Sequence, residues 1–167
     1  MEFKPWPKIT RVENRRQPIF TEKLDGTNAC IAISEDGEFM CQSRNQIITP
    51  HNDNYGFATW VYKNKEKLML LGKGYHYGEW WGLGIGRGYE QKEKKFSMFN
   101  VARWSNQENP IPELVSCVPF LPVQTIEDAR EFLKVNGSVA APGYMRPEGA
   151  VMYDPDTKTC FKIIIDK

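Results

Sequence analysis

A succession of short β-type segments, most of them closed by turn residues, constrains this chain more than any other feature. Residues 19–23, 29–33, 39–43, 75–81, 96–102, 149–153 and 159–165 are rich in β-branched and aromatic side chains. Glu35-Asp36-Gly37 and Asp154-Pro155-Asp156 fall between segment pairs and read as hairpin turns. Two helical patterns accompany them. One spans 55–70, with Asp53 or Asn54 as N-cap and Phe57, Trp60, Val61 and Leu68 as its apolar face. The other spans 126–135, where Thr125 and Asp128 form a Thr-x-x-Asp capping box and Asn136-Gly137 closes the helix. Strands joined by hairpins and outnumbering helices predict an α+β class with antiparallel sheets. The proline-rich stretch 106–122 is expected to be an irregular loop.

The 167 residues suit one domain with a single core, and a net charge of +1 sets up no global field for a polyanion, so any nucleic-acid surface is local. Cys30, Cys41, Cys117 and Cys160 form no Cys-x-x-Cys pair, which argues against a zinc knuckle or a disulfide framework. The first eight residues have no signal-peptide core, and no window approaches a membrane span. A cytoplasmic protein without membrane contact is expected.

Thr21-Glu22-Lys23-Leu24-Asp25-Gly26-Thr27-Asn28 reads as strand, turn and returning strand, with Lys23 at the mouth of the turn. A lysine there is either a solvated surface cation or a nucleophile. In Tyr75-His76-Tyr77-Gly78-Glu79-Trp80-Trp81, alternation places Tyr75, Tyr77, Glu79 and Trp81 on one face. A carboxylate among aromatics is costly to bury unpaired, so Glu79 either reaches water or accepts from a ligand. The run Gly82-Leu83-Gly84-Ile85-Gly86-Arg87-Gly88 has neither dinucleotide-binding nor P-loop spacing and reads as a mobile loop beside a site. Phe99 alone reads as core. Glu148 opens a strand ahead of Gly149, and Lys162 stands between apolar neighbours on the returning strand; the two are candidate partners across that hairpin.

In this order the segments resemble the covalent nucleotidyltransferase superfamily of RNA ligases, DNA ligases and mRNA capping enzymes. The resemblance rests on Glu22-Lys23-Leu24-Asp25-Gly26-Thr27-Asn28, Ser43-Arg44, Gly78-Glu79-Trp80-Trp81-Gly82, residues 96–101, Glu148-Gly149-Ala150-Val151 and Phe161-Lys162-Ile163. The Thr-Asn ending and the Gly-Glu-Trp form are most similar to the ATP-dependent RNA ligases. The resemblance implies two antiparallel sheets flanked by helices, with a nucleotide pocket between them. It implies Lys23 as the lysine that takes AMP from ATP, and Arg44 and Glu79 at the ribose and phosphates. Phe99 would stack on adenine, Glu148 would support Mg2+ or Mn2+, and Lys162 would contact the α-phosphate. Glu22 and Asn28 join the nucleotide-binding set, and Asp25 shapes the turn.

A free lysine has a pKa of about 10.4, so such chemistry needs positive potential beside the amine, which Lys162 and the metal would supply. The implied partner is RNA, as a nicked duplex or single-stranded ends. Where relatives carry a second basic residue two positions from Lys162, this chain has Cys160 and Ile164, with Lys158 farther along the strand. A single adenylyltransferase domain over 1–167 is expected, without an OB-fold or helical module, so that an accessory domain or protein would supply further contacts. The alternatives are a DNA nick ligase, a capping-type enzyme, or a binding module without turnover.

Overall fold

The computed structural model describes residues 1–9, 11, 15–105 and 108–165. Two sheets form its frame. The smaller has three antiparallel strands in the order β1 (Ile19–Lys23), β8 (Gly149–Asp154), β9 (Thr159–Ile164). The larger has six strands in the order β4 (Ile47–Ile48), β3 (Phe39–Gln42), β2 (Thr27–Ile33), β5 (Gly74–Gly82), β6 (Lys94–Met98), β7 (Ser116–Cys117). The α+β expectation with two sheets holds. The antiparallel rule has one exception, because β6 and β7 run parallel.

The predicted hairpin around Lys23 is not one. β1 pairs with β8, whereas β2 pairs with β3 and β5, so the chain crosses from one sheet to the other between Lys23 and Thr27. Asp25-Gly26 supplies the bend, but buried Leu24 anchors it between the sheets with Trp81, Tyr89 and Tyr144. The hairpins at 34–38 and 154–159 form as expected.

Alternation explains the layers. On β2, β5 and β6, the residues Ala29, Ile31, Ile33, Trp80, Phe96 and Met98 turn to one side and pack under Phe57, Ala58, Val61, Leu68 and Leu71. Each large apolar side chain so buried contributes about 1.5–3 kcal/mol. The predicted long helix is broken: α1 (Phe57–Lys63) stops at Asn64, α2 (Lys65–Leu68) restarts, and a 3-10 turn, Met69–Leu71, finishes it. Asn64 bonds its own side-chain amide to the Trp60 carbonyl, a local competitor for helix hydrogen bonding. The N-cap position falls on Gly56, yet Asp53 satisfies the first turn, accepting from the Ala58 and Thr59 amides at 2.7 and 3.0 Å.

The strand expected over 96–102 ends at Met98. Asn100 caps the Arg103 amide at 3.2 Å and starts the one-turn helix α3 (Val101–Trp104). In the proline-rich stretch, Asn106 and Gln107 lie outside the described residues, and β7 gives the rest its order. The last helix, α4 (Ile126–Asn136), is capped by Thr125 as read from the sequence. Its Ala129 and Leu133 cover Phe20, Ala150 and Ile163 on one face of the small sheet. The opposite face of that sheet, carrying Ile19, Thr21, Lys23, Val151 and Lys162, is left to look toward the large sheet. Among the described residues, no helix is long and apolar enough to cross a membrane.

Candidate active site between the sheets

Lys23 ends β1 and faces the cleft, where its ammonium forms an ion pair with Glu148, the residue before β8. Both side chains are mostly buried, 28% and 15% exposed, so the pair is shielded but reachable. Glu148 therefore pairs with Lys23 and not, as the hairpin geometry suggested, with Lys162. The β-ladders bring Lys162 in from the other side: Thr21, Val151 and Lys162 stand in one row across β1, β8 and β9. Lys162 is exposed on that row. Lys158, expected farther along the strand, lies instead in the turn with φ +57°.

From the large sheet, Glu79 and Asn28 are direct neighbours across β5 and β2. Glu79 accepts the Gly26 amide at 3.0 Å, which ties the bend after Lys23 to β5. Its carboxyl is pushed up to about 7, chiefly by burial. The Gly26 amide, Lys23 and Arg44 oppose that shift, and the nearby Glu148 charge adds to it. Arg44 itself is exposed in the turn between β3 and β4.

Phe99 is not core. It follows β6, is 40% exposed, and donates its amide to the Tyr77 carbonyl at 2.9 Å. With Tyr75 and Tyr77, whose rings stack at 6.2 Å, it lines a cleft of about 430 Å³ closed on the far side by Ile19, Thr21, Tyr153 and Cys160. Of the aromatic face inferred from alternation, Tyr75 and Tyr77 are open, a surface on which a flat ring can stack, whereas Trp81 is buried against Tyr89.

Glu22 takes a different place. Next to Lys23 on a strand, it points to the opposite side and is 1% exposed. Its carboxylate accepts from the Ser138 hydroxyl at 2.7 Å and from the Val139 and Ala140 amides at 2.8 and 2.9 Å. Burial nevertheless raises its pKa. That side chain fastens β1 to the loop after α4.

The glycine run does lie beside the site, but it is stitched down. Arg87 forms an ion pair with Asp25, and the Asp25 amide donates to the Tyr89 hydroxyl at 2.9 Å. Sequence reading missed both Arg87 and Tyr89, because no spacing rule links them to Asp25 more than sixty residues earlier.

Among the described residues, no three His, Cys, Asp or Glu side chains gather as a metal cage. Glu148 is a carboxylate at the cleft, close enough for its charge to act on Glu79. A carboxylate oxygen there fits a hard divalent cation that takes its remaining oxygens from phosphates and water.

The raised Glu79 pKa has a consequence for stability. A carboxyl whose pKa is about 7 when folded and 4.5 otherwise is protonated without penalty below about 4.5. Stability is lost as pH rises through about 7, where the folded protein must carry the buried charge. Glu79→Gln is therefore expected to melt several degrees higher than the parent at pH 8, a gain of about 1–3 kcal/mol. The two should coincide near pH 4.5. Equal melting curves at pH 8 would show that the charge is well solvated.

Comparison with known proteins agrees with this geometry. The family model described as RNA ligase matches residues 16–164. Among solved structures, the chain resembles the RNA ligase of Naegleria gruberi. A glutamate-to-alanine mutant of that protein with AMP and Mn superposes with TM-score 0.65 at 25% identity, over 91% of this chain and 51% of that one. A lysine-to-alanine mutant with ATP and Mn gives 0.63 at 20% identity, over 91% and 50%. The chain thus spans about half the length of these structures. No curated protein sequence matches it significantly. A family match over nearly the whole chain, together with the ion-paired lysine between two sheets, gives the conclusion that this chain belongs to the RNA ligase family.

Proposed function

We propose that this chain is the adenylyltransferase domain of an ATP-dependent RNA ligase, charging Lys23 with AMP and passing it to an RNA 5′-phosphate. The observation that carries this reading is the Lys23–Glu148 pair in the cleft, with Glu79 beside it and a row of aromatics leading away.

The Lys23 nitrogen attacks the α-phosphorus of ATP. A P–N bond forms as the bond to the β-phosphate oxygen breaks, and its electron pair leaves with pyrophosphate. The proton leaving Lys23 has a place to go, because its ammonium already points at Glu148 Oε2. Lys162 supplies positive charge on the same sheet face, where the phosphoryl oxygens gather negative charge. Phe99 and Tyr77 offer the adenine a stacking surface, while Asn28 and Glu79 present polar groups for the ribose. Arg44, exposed between β3 and β4, would meet phosphates of the nucleotide. A divalent cation held by Glu148 and the nucleotide would neutralise charge on those oxygens. In the second step, an RNA 5′-phosphate oxygen attacks the same phosphorus and Lys23 leaves as the amine. A 3′-hydroxyl then seals the strand and releases AMP.

The test is direct. After incubation with ATP and Mg2+, the intact protein is expected to gain the mass of one AMP, and an RNA with a 5′-phosphate should remove it. An unchanged mass would favour a binding module without turnover. Transfer to nicked DNA but not to RNA would move the reading to a DNA ligase.

A further inference from the structure

We propose that Arg87 and Tyr89 are positioning residues that brace the segment carrying Lys23 against the segment carrying Glu148. The inference rests on the lysyl-AMP reading above. Asp25 lies two residues after Lys23, and Arg146 lies two residues before Glu148. Arg87 reaches both. Its backbone amide and Nε each donate to Asp25 Oδ2 at 3.2 Å, and its Nη1 donates to the Arg146 carbonyl at 2.8 Å. Tyr89, from the same loop, holds the Lys23 segment a second time: its hydroxyl accepts the Asp25 amide at 2.9 Å. Arg87 thus spans the two strand ends whose reactive groups must meet, and Tyr89 from the same loop secures one of them.

The loop is built for that close approach. Gly86 has φ +52°, and a Cβ there would sit 2.7 Å from Asp25 Oδ1. Tyr89 and Glu90 have φ of +52° and +56°, a left-handed conformation uncommon for residues other than glycine. Such geometry persists only where the surroundings hold it, and here Tyr89 is fully buried against Trp81 and Tyr144. The Arg87–Asp25 pair is 28% and 30% exposed, so it adds little to global stability. Its role is then geometric. An attacking amine displaced by about 1 Å can lose roughly 10²-fold in rate.

The experiment compares parent, Arg87→Ala, Arg87→Lys and Tyr89→Phe. It follows Lys23–AMP formation by intact mass against ATP concentration, alongside melting curves and amide hydrogen exchange. Arg87→Ala is expected to lose roughly 10- to 100-fold in maximal rate. Its half-saturating ATP should stay within about threefold and its melting temperature within about 2 °C, since only a part-exposed pair is lost. Arg87→Lys should fall between, because an ammonium can hold Asp25 or the Arg146 carbonyl but not fork to both. Amides of 24–27 and 146–148 should exchange faster in Arg87→Ala, and those of 24–27 in Tyr89→Phe. An unchanged rate, a loss confined to half-saturating ATP, or unchanged exchange in both segments would overturn the brace. If the parent itself takes no AMP, the functional reading fails, and hydrogen exchange alone still decides for or against the brace.

Discussion

Lys23→Ala protein incubated with ATP and Mg2+ is expected to keep its own mass, with adduct formation down by more than about 10³-fold. That is the scale of loss when the atom that forms the covalent bond is removed. Another amine on this face, Lys162, lies across β8 in the row of Thr21, and among the described residues no carboxylate forms an ion pair with it. It can stabilise charge but is not placed to replace the nucleophile. Lys23→Arg makes the sharper comparison. A guanidinium can keep the ion pair to Glu148, so the fold and the electrostatics of the cleft persist, yet it stays protonated and cannot attack. Melting curves report whether each variant folds: Lys23→Ala leaves the mostly buried Glu148 unpaired, whereas Lys23→Arg keeps a cation beside it. An adduct on either variant, mapped by peptide mass spectrometry to another lysine, would remove Lys23 from the mechanism.

What the sequence disclosed about this site follows from which physical rules are local. Strand alternation is local, and it correctly set Tyr75, Tyr77 and Glu79 on one face, now seen as an open aromatic wall. The Thr125 cap is local too, and it formed. Turn chemistry, by contrast, reports a bend without saying which strand pairs with which. Asp25-Gly26 therefore read as a hairpin, whereas β1 finds its partner β8 near the other end of the chain. Glu22 sits next to Lys23 in sequence, but its partners Ser138, Val139 and Ala140 come from the loop after α4. Phe99 could not be told from core, because its exposure depends on the strand ending at Met98 and the chain turning into α3. The family resemblance put Lys23 and Glu148 in one site, but neither it nor any period or spacing paired them. Their meeting depends on the long-range ladder between β1 and β8.

Gly149→Ala is expected to lower the melting temperature by about 10 °C, a loss of about 3–4 kcal/mol, and to take Lys23–AMP formation down with it. Gly149 lies in β8 between Lys23 of β1 and Ile164 of β9, directly after Glu148. A Cβ added there would stand 1.9 Å from the Ile163 carbonyl oxygen, 2.9 Å from its carbon and 3.1 Å from the Ile164 Cα. All three atoms are backbone, so no side-chain rotation relieves the clash, and the two strands must part. The Ile165 amide bonds to the Glu148 carbonyl at 3.1 Å, so parting them pulls on the residue that holds Lys23. One added methyl thus costs twice: sheet pairing is strained, and the reactive pair is displaced. Melting followed by circular dichroism separates these effects, provided that adduct formation is measured well below the lowered transition. A variant that melts within about 2 °C of the parent would show slack between β8 and β9. A variant that melts low yet reacts at the parent's rate would show that the position of Glu148 does not depend on the register of the small sheet.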